Sequence, residues 1–230
     1  MKKLLVANYK MNGNINFYQK VTKVVNNLQV EDTIVLCPPF VYMPFLKIKN
    51  ESVNLGAQNI TSEINTKSTG EISPNMLKEF NCKYAIIGHS ERRESGETDF
   101  QISKKVEVAQ SNGIVPIVCV GEKDKSSGLE ILSSQVEFAL KYANSNEIIF
   151  AYEPIWAIGS GEVPTNTKIN QAISLIKNTA KKFKQNVKVL YGGSVNASNY
   201  KTLLKTKADG FLMGGVSNKI EEFVKILKGE

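Results

Sequence analysis

Three ionisable side chains each follow a run of apolar residues, which is where a strand would end. Lys10 follows "LLVANY", His89 follows "YAIIG" and Glu153 follows "EIIFAY". A carboxylate base, an imidazole donor and a lysine cation together suit removal of a proton from a carbon next to a carbonyl, because the two donors stabilise the charge that develops on oxygen. Taken singly, Glu153 reads equally well as a buried salt-bridge residue, His89 as a core histidine and Lys10 as a surface lysine. Their chemistry therefore depends on whether the fold brings them together.

The elements that would position these side chains are short apolar runs separated by amphipathic stretches. The runs are "LLVANY", "TIVLCPP", "VNLGAQN", "YAIIGHS", "IVPIVCVG", "EIIFAYEP", "VKVLYGG" and "GFLMGG". Their near-continuous hydrophobicity is typical of strands that are buried on both faces of a parallel sheet. Apolar residues at helical spacing predict helices between them, at Asn16–Leu28, Ile102–Ser111, Glu130–Tyr142, Ile169–Phe183 and Tyr200–Thr206.

This alternation predicts an α/β protein: a single eight-stranded parallel (β/α)8 barrel that forms one domain over residues 1–230. An open, doubly wound sheet is the competing fold. It more often carries a GxGxxG turn after its first strand, and the sequence has no such turn. In a (β/α)8 barrel the active site lies at the C-terminal ends of the strands, so the three side chains would meet at one face.

Glycine-rich turns are expected at the same end of the barrel. The stretch "YGGS" places Ser194 after two glycines, and "MGG" ends in Gly214 and Gly215. Glycine turns expose backbone N–H groups, and a helix that starts after the turn adds positive potential, so such loops can bind phosphate. In barrels of this kind the loops after strands seven and eight commonly form the phosphate site.

Composition narrows the cellular setting and the chemistry. The 42% hydrophobic content suits a packed core, and no apolar run reaches the length of about 18 residues that a membrane helix needs. Cys37, Cys82 and Cys119 are widely spaced and odd in number, which predicts buried thiols in a reducing, cytoplasmic compartment rather than a disulfide framework. His89 is the one histidine, so a Cys/His zinc site lacks ligands and we expect no metal.

The net charge of +7 could indicate nucleic-acid binding or the steering of small anions. Most lysines fall on helical patterns such as "KKFKQNVKV", which we interpret as solvated faces. The sequence has no motif typical of nucleic-acid-binding modules. We therefore expect a small anionic ligand, no nucleic-acid partner and no membrane partner.

Nine stretches carry a resemblance to the triosephosphate isomerase family over nearly the whole chain. They are "NYKMN", "GAQN", "STGEIS", "IIGHSERR", "GETD", "PIVCVGE", "AYEPIWAIGSG", "YGGSV" and "DGFLMGG". The resemblance implies a TIM barrel that interconverts dihydroxyacetone phosphate and D-glyceraldehyde 3-phosphate, in glycolysis and gluconeogenesis, through an enediol(ate) and without a cofactor. By the same resemblance Glu153 is the base, His89 the neutral electrophile and Lys10 the cation. A helix that starts after "GHSERR" is expected to keep the imidazole neutral.

The resemblance also implies residues around these three. Substrate-binding residues are expected at Asn8, Lys10, Gly159, Ser194, Gly214 and Gly215, and supporting residues at Ser90 and Glu91. The segment from Pro154 to Pro164 resembles a lid whose closure expels water. The loop around Thr69 resembles the one that reaches into a partner subunit, so a homodimer is expected.

Two other functions are considered beside the isomerase. One is a barrel that binds a phosphorylated ligand without turnover, for which the net charge and the altered lid sequence "EVP" are the only motives. The other is a different barrel enzyme acting on a sugar phosphate, against which the "AYEPIWAIGSG" stretch argues.

Overall fold

The computed structural model of the chain describes residues 2–64, 67–144 and 146–230. The strands in these ranges are β1 (Leu4–Asn8), β2 (Thr33–Cys37), β3 (Val53–Ala57), β4 (Cys82–Ile87), β5 (Val115–Val120), β6 (Ile149–Tyr152), β7 (Lys188–Tyr191) and β8 (Gly210–Met213). All neighbouring strands pair in parallel, and the order β1 to β8 closes into a barrel. This confirms the predicted (β/α)8 fold.

Helices follow the strands around the outside of the barrel. They are α1 (Ile15–Asn26), α2 (Pro74–Glu79), α3 (Ser90–Glu94), α4 (Asp99–Ser111), α5 (Glu130–Leu140), α6 (Asn166–Lys182), α7 (Ala197–Leu203) and α8 (Ile220–Lys228). Short 3₁₀ helices occupy Phe40–Phe45, Ile155–Ala157 and Gly215–Asn218. No helix in the ranges that the structure describes is long and apolar enough to cross a membrane.

The strands read as continuous apolar runs because they are buried on both faces. In β1, Leu4 and Val6 belong to the cluster inside the barrel, whereas Leu5 and Ala7 pack with the helices outside. Successive side chains of a strand point to opposite faces, so a strand with two apolar surroundings needs an apolar residue at every position.

The barrel closes where β1 meets β8. Leu4 pairs with Gly210 in this seam, and the backbone N–H of Leu4 donates to Asp209 O at 3.1 Å. A Cβ atom at position 210 would lie 1.9 Å from the carbonyl oxygen of Leu4. Glycine is therefore the residue that lets the first and last strands approach to hydrogen-bonding distance.

Helix ends differ from the prediction where polar caps, rather than apolar spacing, set the boundary. α6 begins at Asn166, because the Thr165 side chain accepts the backbone N–H of Lys168. α7 begins at Ala197 instead of Tyr200 and is capped by the Asn196 side chain. An N-cap side chain accepts from backbone N–H groups that have no partner within the helix. Because the capping residue is polar and precedes the first apolar residue of the helical pattern, the spacing of apolar residues does not reveal it.

Candidate active site

The C-terminal ends of the strands surround a cavity of about 500 Å³. Its walls include eight of the residues that the sequence indicated, namely Asn8, Lys10, His89, Glu153, Gly159, Ser194, Gly214 and Gly215. Ser90 and Glu91 lie outside this lining. Glu91 lines an adjoining cavity, which shares Asn8, Lys10 and His89 with the first.

Glu153 follows β6 and is buried, with 2% of its surface exposed. Its Oε1 lies 3.2 Å from His89 Nε2, and its Oε2 accepts the backbone N–H of Ser90 at 3.1 Å. The carboxylate is thus held by the His89 imidazole and by a backbone amide. No lysine or arginine among the described residues pairs with it. Among the described residues, Glu153 therefore forms no salt bridge with a lysine or arginine, which was the alternative interpretation of this residue.

Glycines on both neighbouring strands make room for Glu153. A Cβ atom at Gly121, after β5, would lie 1.7 Å from the Glu153 carbonyl oxygen, and one at Gly192, after β7, would lie 2.9 Å from its Cγ. Close backbone approach is a positional reason for glycine at the end of a strand. These two glycines therefore fix how deeply the carboxylate sits between the strands.

Cys119 is a neighbour of the carboxylate that sequence reasoning treated only as a buried thiol. It lies in β5 opposite Ala151 of β6, and the charge of the nearby Glu153 carboxylate acts on its thiol. Burial, followed by the adjacent carboxylate, raises the pKa of Cys119 well above its usual range. The thiol therefore remains protonated beside the carboxylate.

His89 caps the short helix α3, which begins at Ser90, inside the "GHSERR" stretch rather than after it. Its Nδ1 accepts the backbone N–H of Glu91 at 3.3 Å, whereas the Glu91 carboxylate is 3.6 Å from the same nitrogen, too far for a hydrogen bond. An imidazole whose Nδ1 is an acceptor carries its proton on Nε2. Nε2 faces Glu153 and the cavity, so it is the donating atom.

Lys10 follows β1 with a left-handed backbone, φ +51°. Two side chains hold this conformation: Asn8 Oδ1 accepts the Lys10 N–H at 3.0 Å, and Gln58 Nε2 donates to the Lys10 carbonyl at 2.9 Å. Its Nζ pairs with Glu91 Oε1 at 2.6 Å. Gly214 faces its stem, and a Cβ atom there would lie 3.4 Å from Lys10 Cε. Gln58 belongs to the quoted "GAQN" stretch, but no role was predicted for it.

The segment from Pro154 to Pro164 begins with the 3₁₀ helix Ile155–Ala157 and then turns through Gly159 and Gly161, which have φ +71° and +78°. Ser194 Oγ donates to the Ala157 carbonyl at 2.8 Å, so in this conformation the serine binds the segment itself. The glycines line the cavity. The segment therefore stands beside the cavity, and Ser194 attaches its N-terminal half to the loop after β7.

Glu122 is a second buried carboxylate near this segment, and the sequence did not single it out. Its Oε1 accepts from Tyr152 Oη and from Trp156 Nε1, both at 2.9 Å, and lies 3.4 Å from Lys168 Nζ. Burial, followed by the charge of Glu122, raises the pKa of Tyr152. The phenol is therefore a permanent donor to the carboxylate.

Within the residues that the structure describes, no group of three or more His, Cys, Asp or Glu side chains is placed to hold a metal ion. A parallel (β/α)8 barrel that gathers a carboxylate, an imidazole and an ammonium group around a glycine-lined cavity belongs to the class of barrel proteins suited to acid–base chemistry on a small anionic ligand.

The chain belongs to the triosephosphate isomerase family, whose family model, described as "Triosephosphate isomerase", matches residues 3–230. Relatives named triosephosphate isomerase include that of Clostridium tetani, 38% identical over 98% of this chain and 96% of its own length. Those of Dehalococcoides mccartyi and Dictyoglomus thermophilum are 40% and 37% identical and cover 99% of this chain, with 96% and 99% of their own lengths.

Proposed function

We propose that this chain interconverts dihydroxyacetone phosphate and D-glyceraldehyde 3-phosphate, as an intramolecular aldose–ketose isomerase of glycolysis and gluconeogenesis that needs no cofactor. The observation that carries the proposal is the shared cavity. His89 Nε2 lies 3.2 Å from Glu153 Oε1, and Lys10 lines the same cavity of about 500 Å³. Membership of a family whose relatives are named for this reaction supports it.

Glu153 is the proposed base. Its carboxylate takes a proton from C1 of dihydroxyacetone phosphate, and the electron pair of that C–H bond forms an enediolate. Transfer of the O1 hydroxyl proton to O2 and return of the abstracted proton to C2 then give the aldehyde. To reach the carbon, the carboxylate exchanges its contacts with His89 Nε2 and the Ser90 N–H for the substrate. Because both contacts are with neutral donors, the exchange does not break a buried ion pair.

His89 and Lys10 are proposed to stabilise the enediolate. The imidazole donates from Nε2 to the substrate oxygens, since its Nδ1 is already occupied by the Glu91 N–H. Lys10 supplies a positive charge in the same cavity, with Asn8 and Glu91 holding it in place. Donors that are in position before the reaction stabilise developing charge without reorganisation.

The glycine-rich loops are proposed to bind the phosphate. Gly214 precedes and Gly215 begins a 3₁₀ helix after β8, and Ser194 and Gly159 line the same cavity. Residues 154–164 are the proposed lid. Its closure would exclude water and keep the enediolate from losing phosphate.

We further propose a cytoplasmic homodimer with no nucleic-acid or membrane partner. The dimer would form through the loop around Thr69, which the structure describes except for residues 65 and 66. Exposed apolar side chains support a dimer, since Met11 is 95% exposed and Ile64, which precedes Thr69 in the same connection, is 64% exposed. The cytoplasm is supported by three cysteines that are all free and buried.

The test is turnover of the two triose phosphates by the purified chain in both directions. Glu153→Gln keeps the shape of the side chain but removes its basicity, and we expect it to lower kcat by roughly 10²–10⁴-fold. Glu153→Asp withdraws the carboxylate by about one bond length and should cost on the order of a hundredfold. A folded wild-type chain that binds triose phosphate without turnover would instead support a non-catalytic binding barrel.

A further inference from the structure

A cluster of charged side chains contacts the lid without lining the cavity. Lys125, in the loop between β5 and α5, pairs with Glu162 of the lid at 2.6 Å. Neither residue lines the cavity, whereas the lid glycines Gly159 and Gly161 do. The pair therefore ties the C-terminal half of the lid to the loop between β5 and α5.

The same cluster surrounds Trp156, at the start of the lid. Lys125 Nζ lies 5.2 Å and Lys168 Nζ 5.1 Å from the ring centroid, both within the range of a cation–π contact. Lys168 Nζ also donates to the Lys125 carbonyl at 3.2 Å. The two lysines thus form one unit that contacts both ends of the lid.

The two attachments differ in how easily they break. At the N-terminal end, Trp156 donates to Glu122, whose side chain is 0% exposed. At the C-terminal end, Lys125 and Glu162 are 67% and 54% exposed. An exposed ion pair is weak and easily exchanged for water, whereas a buried hydrogen-bonded carboxylate is costly to disturb. The glycines lie between the two attachments, so the C-terminal half can move while Trp156 stays fixed.

We propose that Lys125 is a positioning residue that holds the lid in its withdrawn place through Glu162, so that closing the lid requires this ion pair to break. The inference rests on the proposed function, because it assigns the residues 154–164 to a lid. The proposal predicts that the ion pair weakens the apparent affinity for substrate. A ligand that binds only the closed state has an apparent Kd equal to its intrinsic Kd divided by the fraction of molecules whose lid is closed, and the ion pair lowers that fraction.

Glu162→Gln is the diagnostic variant, because Glu162 contacts no ring and no cavity residue. We expect its KM for triose phosphate to fall about two- to fivefold, the range that an exposed ion pair allows, while kcat changes less than KM. Glu162→Lys should lower KM in the same direction, because two lysines then repel. The double variant Lys125→Glu/Glu162→Lys restores an opposite-charge pair and should return KM to the wild-type value.

A second measurement does not depend on turnover. Trp156 is the only tryptophan of the chain, so the fluorescence emission reports the surroundings of the lid. Glu162→Gln should shift this emission in the unliganded protein, and inorganic phosphate should bind to it more tightly than to the wild type. If the wild type does not turn over triose phosphate, the proposed function fails, but the emission and the phosphate titration still decide whether the lid is tied.

The matched control is Glu147→Gln, which removes an exposed lysine–glutamate pair of similar geometry, to Lys188 at 2.8 Å, with exposures of 56% and 47%. It should leave KM and emission unchanged. The proposal would be overturned if Glu162→Gln kept the wild-type KM and emission. It would also be overturned if Glu162→Gln and Glu147→Gln shifted KM and emission equally. Failure of the double variant to restore KM would overturn it too.

Discussion

The buried ion pair between Lys105 and Glu97 gives the sharpest prediction about stability. Lys105 of α4 is in direct contact with Glu97 Oε1, and their side chains are 6% and 4% exposed. Lys105 Nζ also donates to Asn59 Oδ1 at 2.8 Å, and Arg92 Nε lies 3.4 Å from the same glutamate oxygen. Glu97→Gln removes the negative charge that faces the buried ammonium group.

The expected cost follows from the burial. Breaking a buried pair by removing one charge costs about 3–5 kcal/mol, because the remaining charge is uncompensated. The amide oxygen of the variant can still accept from Lys105, and Asn59 remains, so we expect the lower end, about 3 kcal/mol. For a chain of this length each kcal/mol shifts Tm by about 2–4 °C, which predicts a Tm lower by about 6–12 °C.

Thermal and urea unfolding, followed by circular dichroism at one fixed protein concentration, measure this directly. Glu107→Gln is the control, since Glu107 lies on the same helix and pairs with Lys104 in solvent, with side chains 42% and 33% exposed. It should leave Tm unchanged within error. Equal Tm values for the two variants would refute the reasoning. In the double variant Glu97→Gln/Lys105→Met the unpaired charge is gone, so the loss of Tm should be smaller than the sum of the two single losses, and an additive loss would also refute it.

Three further predictions concern other buried groups. Tyr9→Phe should raise the free energy of unfolding by about 1 kcal/mol, because the Tyr9 hydroxyl is buried and has no hydrogen-bond partner among the described residues; a loss in urea unfolding would contradict this. Burial raises the pKa of Cys37 and of Cys119, so both stay protonated in the folded chain while the unfolded chain ionises above about pH 8.5. Urea unfolding should therefore show stability falling as pH rises past that value, and a flat profile to about pH 10 would argue against it. Gly210→Ala sets a Cβ atom 1.9 Å from Leu4 O and should cost more than about 4 kcal/mol, seen as loss of the cooperative melt; wild-type melting would count against the seam as described.

The fold could be predicted from sequence because every strand carries the same signal. A strand buried on both faces, such as β5 with "VPIVCV", is apolar at nearly every position, and the pattern repeats between helices. The barrel rule then places the strand ends together, which is how Lys10, His89 and Glu153 were expected to meet. The family resemblance supplied the roles of these residues, and those roles stay predictions.

What sequence reasoning missed depends on partners that are distant in the chain. Gln58 supports the left-handed backbone of Lys10 from 48 positions away, and Cys119 meets Glu153 across a strand pair. Neither residue type is unusual where it stands. The contacts of Glu122 could not be predicted for the same reason, since only the fold brings Tyr152 and Trp156 to its carboxylate.

The seam between β1 and β8 has a consequence for how the protein is made. Leu4 and Gly210 are paired, so the first strand gains its second neighbour only after nearly the whole chain has left the ribosome. At a synthesis rate of about 5–20 residues per second, this delay is on the order of 10–40 s. During that time β1 presents one unpaired edge, a template for association with other nascent chains.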